Sequence, residues 1–456
     1  MKRRTLLKGC GMAAGMSALP VAAWFNPFAM HSRSQNEVLV YCFLRGGIDG
    51  LHLMAPISGP ERGPYEGRRA GLAIPGDRLR PLSGHWGLHP RVGGSTGDAI
   101  GSAPKWLHAL YDQQRLAIVQ GVGMPSVVNR SHFDAQAFMD LGTPGSKTAA
   151  QGWLTRYLAV ATGLPNALLS SAFGFAGVQP MALLGNDSAF TLNSAQEFRL
   201  DGFHWAWNET NSSLDSHQGA HHQLFPLWLG EQSDLAQAGR LAAEALAYLR
   251  EIDFRPFHPD NAPTGYQIEG GAEYPNTTLG TQLRNLAQLI KLDVGLAAAT
   301  VDFGGWDTHE GQGMPNPGVS DHYDYYGNRV EELSRALHAF YTDLSQSTQG
   351  NLMQRVNVVV LSEFGRRVRS NASGGTDHGY GNLMMALGGR VNGGLHGEFP
   401  GLDDDSLFEG QDLSASIDYR QVLAEALVGR MGLAQADLGQ VFPGLDSYQP
   451  PGIFQT

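Results

Sequence analysis

Apolar, β-branched runs far apart in this chain stop at glycine-rich turns that carry carboxylates and imidazoles. VLVYCFLRGGIDG ends at Asp49, AAATVDFGGWDTH at Asp307 and His309, and VNVVVLSEFGR passes through Glu363. Asp377 and His378 sit in a further glycine-rich turn, GGTDHG. Continuous apolar runs of this length suit strands buried on both faces of a parallel sheet. In such a sheet ligand sites gather at the carboxyl ends of the strands, so side chains remote in sequence converge there. Carboxylate and imidazole ligands with almost no sulfur suit a hard or borderline divalent metal.

The rest of the chain supports an α/β reading. Strands are expected at about 37–44, 116–122, 297–303 and 356–361, with a short apolar run at 383–387. Helices are expected at 102–113, from near Ser131, at 281–292, at about 323–346 and at about 418–431. In the 323–346 segment Val330, Leu333, Leu337, Phe340 and Leu344 recur at helical spacing. The alternation predicts a mostly parallel central sheet with helices on both faces. It makes residues 37–450 a single domain. The stretch at about 165–278 breaks the rhythm with β-like pieces (ALLSSAFGF, PMALLG, SAFTL), a polar loop at 208–222 and a helix at 234–250. It reads as an insertion packed like a cap over the site.

The N-terminus says where such a site would work. MKRRTLLKG carries Arg3-Arg4, a small-residue apolar stretch follows, and Val21-Ala22-Ala23 suits cleavage. Residues 1–23 therefore read as a twin-arginine export signal. The expected partner is the twin-arginine translocase, and the expected location is periplasmic or extracellular. The apolar stretch falls short of the about 20 residues a membrane span needs, so no stable span is expected after cleavage. Removing Lys2, Arg3, Arg4 and Lys8 with the signal leaves 28 basic against 43 acidic residues. That balance and the lack of a basic stripe argue against nucleic acid. Of the two cysteines, Cys10 and Cys42, only Cys42 outlasts cleavage, so no internal disulfide is expected.

A second motif is Asn129-Arg130-Ser131-His132-Phe133, which follows the strand at 116–122 and opens a helix. A hydroxyl at a helix start meets free N–H groups and the positive end of the dipole. Ser131 reads either as an N-cap or as a nucleophile whose pKa a nearby metal lowers. Arg130 could clamp a substrate oxyanion, and His132 could be a ligand, an acid or a core residue. His85, His89, the His221-His222 pair and Asp403-Asp404-Asp405, which could bind calcium, have readier surface or packing explanations, while one of Arg366 and Arg367 could pair with Glu363 or an anionic substrate as readily as lie on the surface.

GGIDGLHLMAP at 46–56, GLHP at 87–90, RSHFDAQ at 130–136, GGWDTHEGQ at 304–312, LSEFGRR at 361–367, GGTDHGYGN at 374–382 and DYR at 418–420 together resemble an exported bacterial family, domain of unknown function 1501. That family is similar in turn to the alkaline phosphatase and sulfatase superfamily. The resemblance implies an alkaline-phosphatase-like fold. It implies a metal site at Asp49, Asp307, His309, Glu363, Asp377 and His378, and a hydroxyl nucleophile at Ser131. This chain departs from the pattern at His52, where the family usually has Asn. The Asp307/His309 spacing is also tighter than the phosphatase Asp-x-x-x-His.

These readings together predict an exported metal-dependent hydrolase of phosphate or sulfate esters. It would use one or two divalent ions (Zn, Ca, Mn or Mg) and act on a small anionic ester or a polysaccharide. The alternative is a non-catalytic exported scaffold or binding protein with a structural metal.

Overall fold

The computed structural model describes residues 36–94, 102–165, 167, 170–192, 227–240, 249, 252–254, 265–313 and 323–455. The expected export signal at 1–23, the loop at 208–222 and much of the helix expected at 234–250 lie outside the described residues.

The central strand is β1 (Val38–Leu44), all seven residues of which are buried. Its even-numbered side chains, Val38, Val40, Cys42 and Leu44, enter one apolar cluster, and Leu39, Tyr41 and Phe43 enter another on the opposite face. Two buried faces account for an unbroken apolar run where a half-exposed strand would alternate. Helices cover both sides. The Trp106–Asp112, Thr278–Lys291 and Tyr325–Ser345 helices line the first cluster. His132–Leu141, Trp153–Val160 and Tyr419–Gly429 line the second. In chain order these helices are α1 (Trp106–Asp112), α2 (His132–Leu141), α3 (Trp153–Val160), α4 (Thr278–Lys291), α5 (Tyr325–Ser345) and α6 (Tyr419–Gly429). Cys42 is free and buried, and burial pushes its thiol up to about 12.

The remaining strands are β2 (Met54–Pro56), β3 (Arg80–Pro81), β4 (Trp86–Leu88), β5 (Leu116–Gly123), β6 (Ala172–Phe175), β7 (Phe190–Thr191), β8 (Ala298–Phe303), β9 (Val356–Leu361), β10 (Asn382–Gly388), β11 (Gly394–His396) and β12 (Ile417–Asp418). The main sheet runs β11-β5-β10-β9-β1-β8-β6-β7, with β12 also on β5. Strand β1 pairs in parallel with β8 and β9, and β6 extends the parallel set from β8. Among the described strands of this sheet β10 alone runs the other way, antiparallel to both β5 and β9. This is the mostly parallel, doubly covered sheet expected.

Direction decides where the motifs go. The loops after β1, β5, β8 and β9 leave from the carboxyl edge of the sheet. Because β10 is reversed, the turn that precedes it, with Asp377 and His378, arrives at the same edge.

One local reading is corrected. The β-like piece PMALLG is a 3-10 turn, Met181–Leu183, closed by Leu183 N–H donating to Pro180 O at 2.8 Å. Proline fixes φ at a turn value, and the i→i+3 bond outcompetes any sheet pairing. Residues 54–88 form a separate three-stranded sheet, β2-β4-β3, whose strands of two or three residues are too short to show a period.

Candidate metal centre

At the carboxyl edge the loop after β1 bends through Gly46 and Gly47, at φ +120° and +65°. A Cβ on Gly46 would stand 2.7 Å from the Asp307 backbone N. Only glycine lets the β1 and β8 loops approach this closely.

Asp307 is the centre of the arrangement. Its Oδ1 lies 3.3 Å from His132 Nε2, 3.1 Å from His309 Nε2 and 3.2 Å from His378 Nε2. Arg366 Nη2 donates to the same oxygen at 2.6 Å. Arg366 is fully buried, and it also donates to the carbonyls of Gly46, Gly47, Trp306 and Thr376. One guanidinium thus ties together the loops after β1 and β8 and the turn before β10. Burial pushes the Asp307 carboxyl up, but the hydrogen bond and charge of Arg366 outweigh it and hold Asp307 well below the usual carboxylate range.

Each histidine has its Nδ1 turned to an oxygen acceptor. His132 Nδ1 is 2.7 Å from Glu363 Oε1, His309 Nδ1 is 3.1 Å from Asp377 Oδ1, and His378 Nδ1 is 2.7 Å from the Arg130 carbonyl. An Nδ1–H given to these acceptors leaves the Nε2 lone pair facing inward. His309 Nε2 and His378 Nε2 are 2.8 Å apart, so two lone pairs meet unless a cation or proton lies between them. His132 Nε2 is buried and makes no hydrogen bond. His132, Asp307 and His378 each offer a ligand atom within 4.8 Å of the others. Oxygen acceptors behind inward-facing imidazoles are the usual supports of metal-binding histidines. These residues form a group able to hold a divalent metal.

The supports are themselves anchored. Glu363 accepts from Gly46 N–H at 2.9 Å, Gln136 Nε2 at 2.7 Å and Ser362 Oγ at 2.9 Å. Burial raises its pKa, and the bonds from His132 and Gln136 reverse the shift and lower it. Asn371 donates to Asp377 Oδ1 at 3.1 Å and helps lower that carboxyl. Burial pulls the His132 imidazole down, but Glu363 outweighs it and leaves the pKa raised; burial prevails at His378, which is lowered.

Of the six residues expected as ligands, Asp307, His309 and His378 come together, and His132 joins them. Glu363 and Asp377 stand behind His132 and His309. Asp49 is not brought to the group. Its carboxylate is buried against Arg69, which donates from both terminal nitrogens, and it also accepts from Gln312 Nε2 at 2.9 Å and His52 N–H at 3.1 Å. Burial raises the Asp49 pKa, and Arg69 overrides it, holding the carboxyl at about 2. A carboxylate whose oxygens are filled by a guanidinium is a poor metal ligand.

Ser131 is the N-cap residue of α2, and its hydroxyl makes no capping hydrogen bond. The Arg130 carbonyl beside it is the acceptor for His378. The Arg130 guanidinium faces Glu409 and Asp412 instead of the histidines. Elsewhere, His85 Nδ1 contacts Ser58 Oγ, His89 is buried beside His52, and Asp403 caps the backbone of Asp405 and Ser406. His221 and His222 lie outside the described residues. Arg69, Gln136, Gln312, Asn371 and Thr376 were not expected from the sequence; apart from Gln136 in RSHFDAQ, Gln312 in GGWDTHEGQ and Thr376 in GGTDHG, they carry no signal there.

No curated protein matches the chain. Among solved structures, Ps i-CgsB in complex with k-i-k-neocarrahexaose is 10% identical, over 91% of this chain and 78% of its own, with a TM-score of 0.37. The PsFucS1 sulfatase from Pseudoalteromonas sp. is 10% identical over 92% and 74%, with a TM-score of 0.35. The C-terminal periplasmic domain of EcEptC from Escherichia coli, solved as a complex with Zn, is 10% identical over 78% and 73%, with a TM-score of 0.32. The motif-bearing loops that build the histidine group all fall within residues 36–441, the span matched by the family described as protein of unknown function (DUF1501), and the chain belongs to that family.

Proposed function

We propose that this chain is an exported metal-dependent hydrolase of phosphate or sulfate esters. The observation that carries this reading is the convergence of three imidazole Nε2 atoms on Asp307 Oδ1, one of them from His132, the residue after Ser131 at the start of α2. Three nitrogens and one carboxylate favour zinc or another borderline first-row ion over calcium or magnesium, which prefer all-oxygen sets. A bound divalent ion would supply Lewis acidity, lowering the pKa of a hydroxyl and stabilising anionic charge. His132, His309, His378 and Asp307 would hold it. Glu363, Asp377 and the Arg130 carbonyl fix the ring orientations, and Arg366 fixes Asp307. Ser131, at the α2 N-terminus, is the candidate attacking group.

The alternative is a non-catalytic exported scaffold with a structural metal. It is favoured by one observation: Arg130, the arginine nearest Ser131 in sequence, is paired with Glu409 and Asp412 and does not reach toward an anion. Elemental analysis of protein purified after export, followed by turnover of aryl phosphate and aryl sulfate with added Zn²⁺, Mn²⁺, Mg²⁺ or Ca²⁺, separates the two. The hydrolase reading expects close to stoichiometric transition metal and ester turnover that chelation abolishes. Metal without turnover supports the scaffold, and protein that neither contains nor takes up metal sinks both.

Export by the twin-arginine route is part of this proposal. Among the described residues no helix is long and apolar enough to cross a membrane. Replacing Arg3 and Arg4 together by Lys is expected to leave the precursor in the cytoplasm, as read by fractionation and immunoblotting. Processed periplasmic product from the double variant would exclude that route.

A further inference from the structure

The sheet carries a concave surface at the edge opposite the histidine group. A groove of about 510 Å³ is lined by α3, by residue Ser171 just before β6, by the turn at 185–188 and by the helix at 234–240. Because β6 runs parallel to β8, its amino end lies away from the edge where Asp307 sits. The volume is in the range of small-molecule sites, about 300–1,000 Å³.

The chemistry of the lining is selective. Gln151, Thr155, Ser171 and Gln237 offer neutral amides and hydroxyls, and Asp187 and Asp234 are the charged residues on it. Among the described residues that line the groove there is no Lys, Arg or His to hold a phosphate or sulfate group. The described apolar lining is Leu158, Ala159 and Ala238, little surface for a hydrophobic ligand. Amides that both donate and accept, hydroxyls, and carboxylates that accept pairs of O–H bonds together complement a surface of vicinal hydroxyl groups.

We propose that this groove binds a neutral polyhydroxylated ligand, a glycan segment, at a site separate from the histidine group. The binding does not depend on metal or on ester hydrolysis.

The test uses the full chain purified after export. Isothermal titration is run with neutral hexasaccharides (maltohexaose, cellohexaose, laminarihexaose and mannohexaose) and with chitosan hexaose as a cationic arm. At least one neutral sugar should bind with Kd of about 1 mM or tighter. The Asp234→Ala/Gln237→Ala double variant removes two exposed side chains, so folding should be unaffected; circular dichroism and the thermal midpoint check this. The variant should weaken neutral-sugar binding about tenfold or more while metal content stays unchanged. Absence of binding by all four neutral sugars, equal binding by the double variant, or tighter binding of chitosan hexaose than of any neutral sugar would each overturn the proposal.

Discussion

Replacing Arg69 by Met is expected to destabilise the protein by about 3–5 kcal/mol, because it leaves the Asp49 carboxylate buried without its counter-charge. The side chains of Arg69 and Asp49 are 0% and 1% exposed. Arg69 Nε also donates to Val368 O at 2.6 Å and Nη2 to Arg367 O at 3.2 Å, so the variant orphans two carbonyls as well. The loss should not stay local. Gln312, which bonds Asp49, also contacts Thr308 and Thr376, the neighbours of Asp307 and Asp377. Metal affinity should therefore fall along with the urea midpoint. The companion Asp49→Leu/Arg69→Met removes both charges and should recover much of the stability. A single variant within about 0.5 kcal/mol of wild type would show that the pair does not hold the first loop.

The same cluster contributes to the acid sensitivity of the fold. The folded pKa of Asp49 is depressed to about 2, so its contribution is complete above the unfolded value, about 3.9, and is lost as pH falls through 2. Burial likewise lowers His52 to about 4, with the Asp49 charge opposing the shift. His52 must stay neutral in the fold, so its share of stability is present above about 6.5 and drains away as pH falls toward 4.

What the sequence made legible follows from this geometry. Strands β1, β8 and β9 could be read because both their faces are buried, which writes an unbroken apolar run. The loops after them could be read as site loops because parallel strands share a carboxyl edge. Asp377 and His378 reach that edge by a different route, ahead of the reversed β10, and strand direction leaves no mark in an apolar run. Asp49 looked like a ligand because it is a carboxylate at a strand end. Its partner Arg69 lies 20 residues on, in a GRRAG stretch that no spacing rule connects to it. His132 showed the opposite problem: in sequence it is an ordinary first-turn histidine, and only the β8 loop, folded against α2, brings Asp307 to its Nε2. Glu363 and Asp377 stand behind His132 and His309, and a sequence cannot say whether a carboxylate touches a metal or the back of an imidazole.

Ser131→Ala should separate the chemistry from the architecture. The Ser131 hydroxyl makes no capping bond and the α2 backbone is otherwise intact, with Ala135 N–H donating to Ser131 O at 2.9 Å. The variant should therefore cost well under the about 1 kcal/mol of a working N-cap. None of the histidine supports runs through Oγ, so metal content should match wild type. Ester turnover should nonetheless fall by about 10³-fold or more, because a nucleophile at the α2 N-terminus loses the atom that attacks. The two measurements must be read together. Unchanged metal with lost turnover assigns Oγ to the reaction. Unchanged metal with turnover within a few-fold of wild type means that a water molecule attacks, and that the histidine group acts without Ser131. If metal is lost as well, Oγ belongs to the ligand set, and the loss of turnover no longer assigns the attack to it. A Ser131→Thr variant guards against a trivial loss, since it keeps a hydroxyl at the helix start and should retain part of the turnover that Ser131→Ala abolishes.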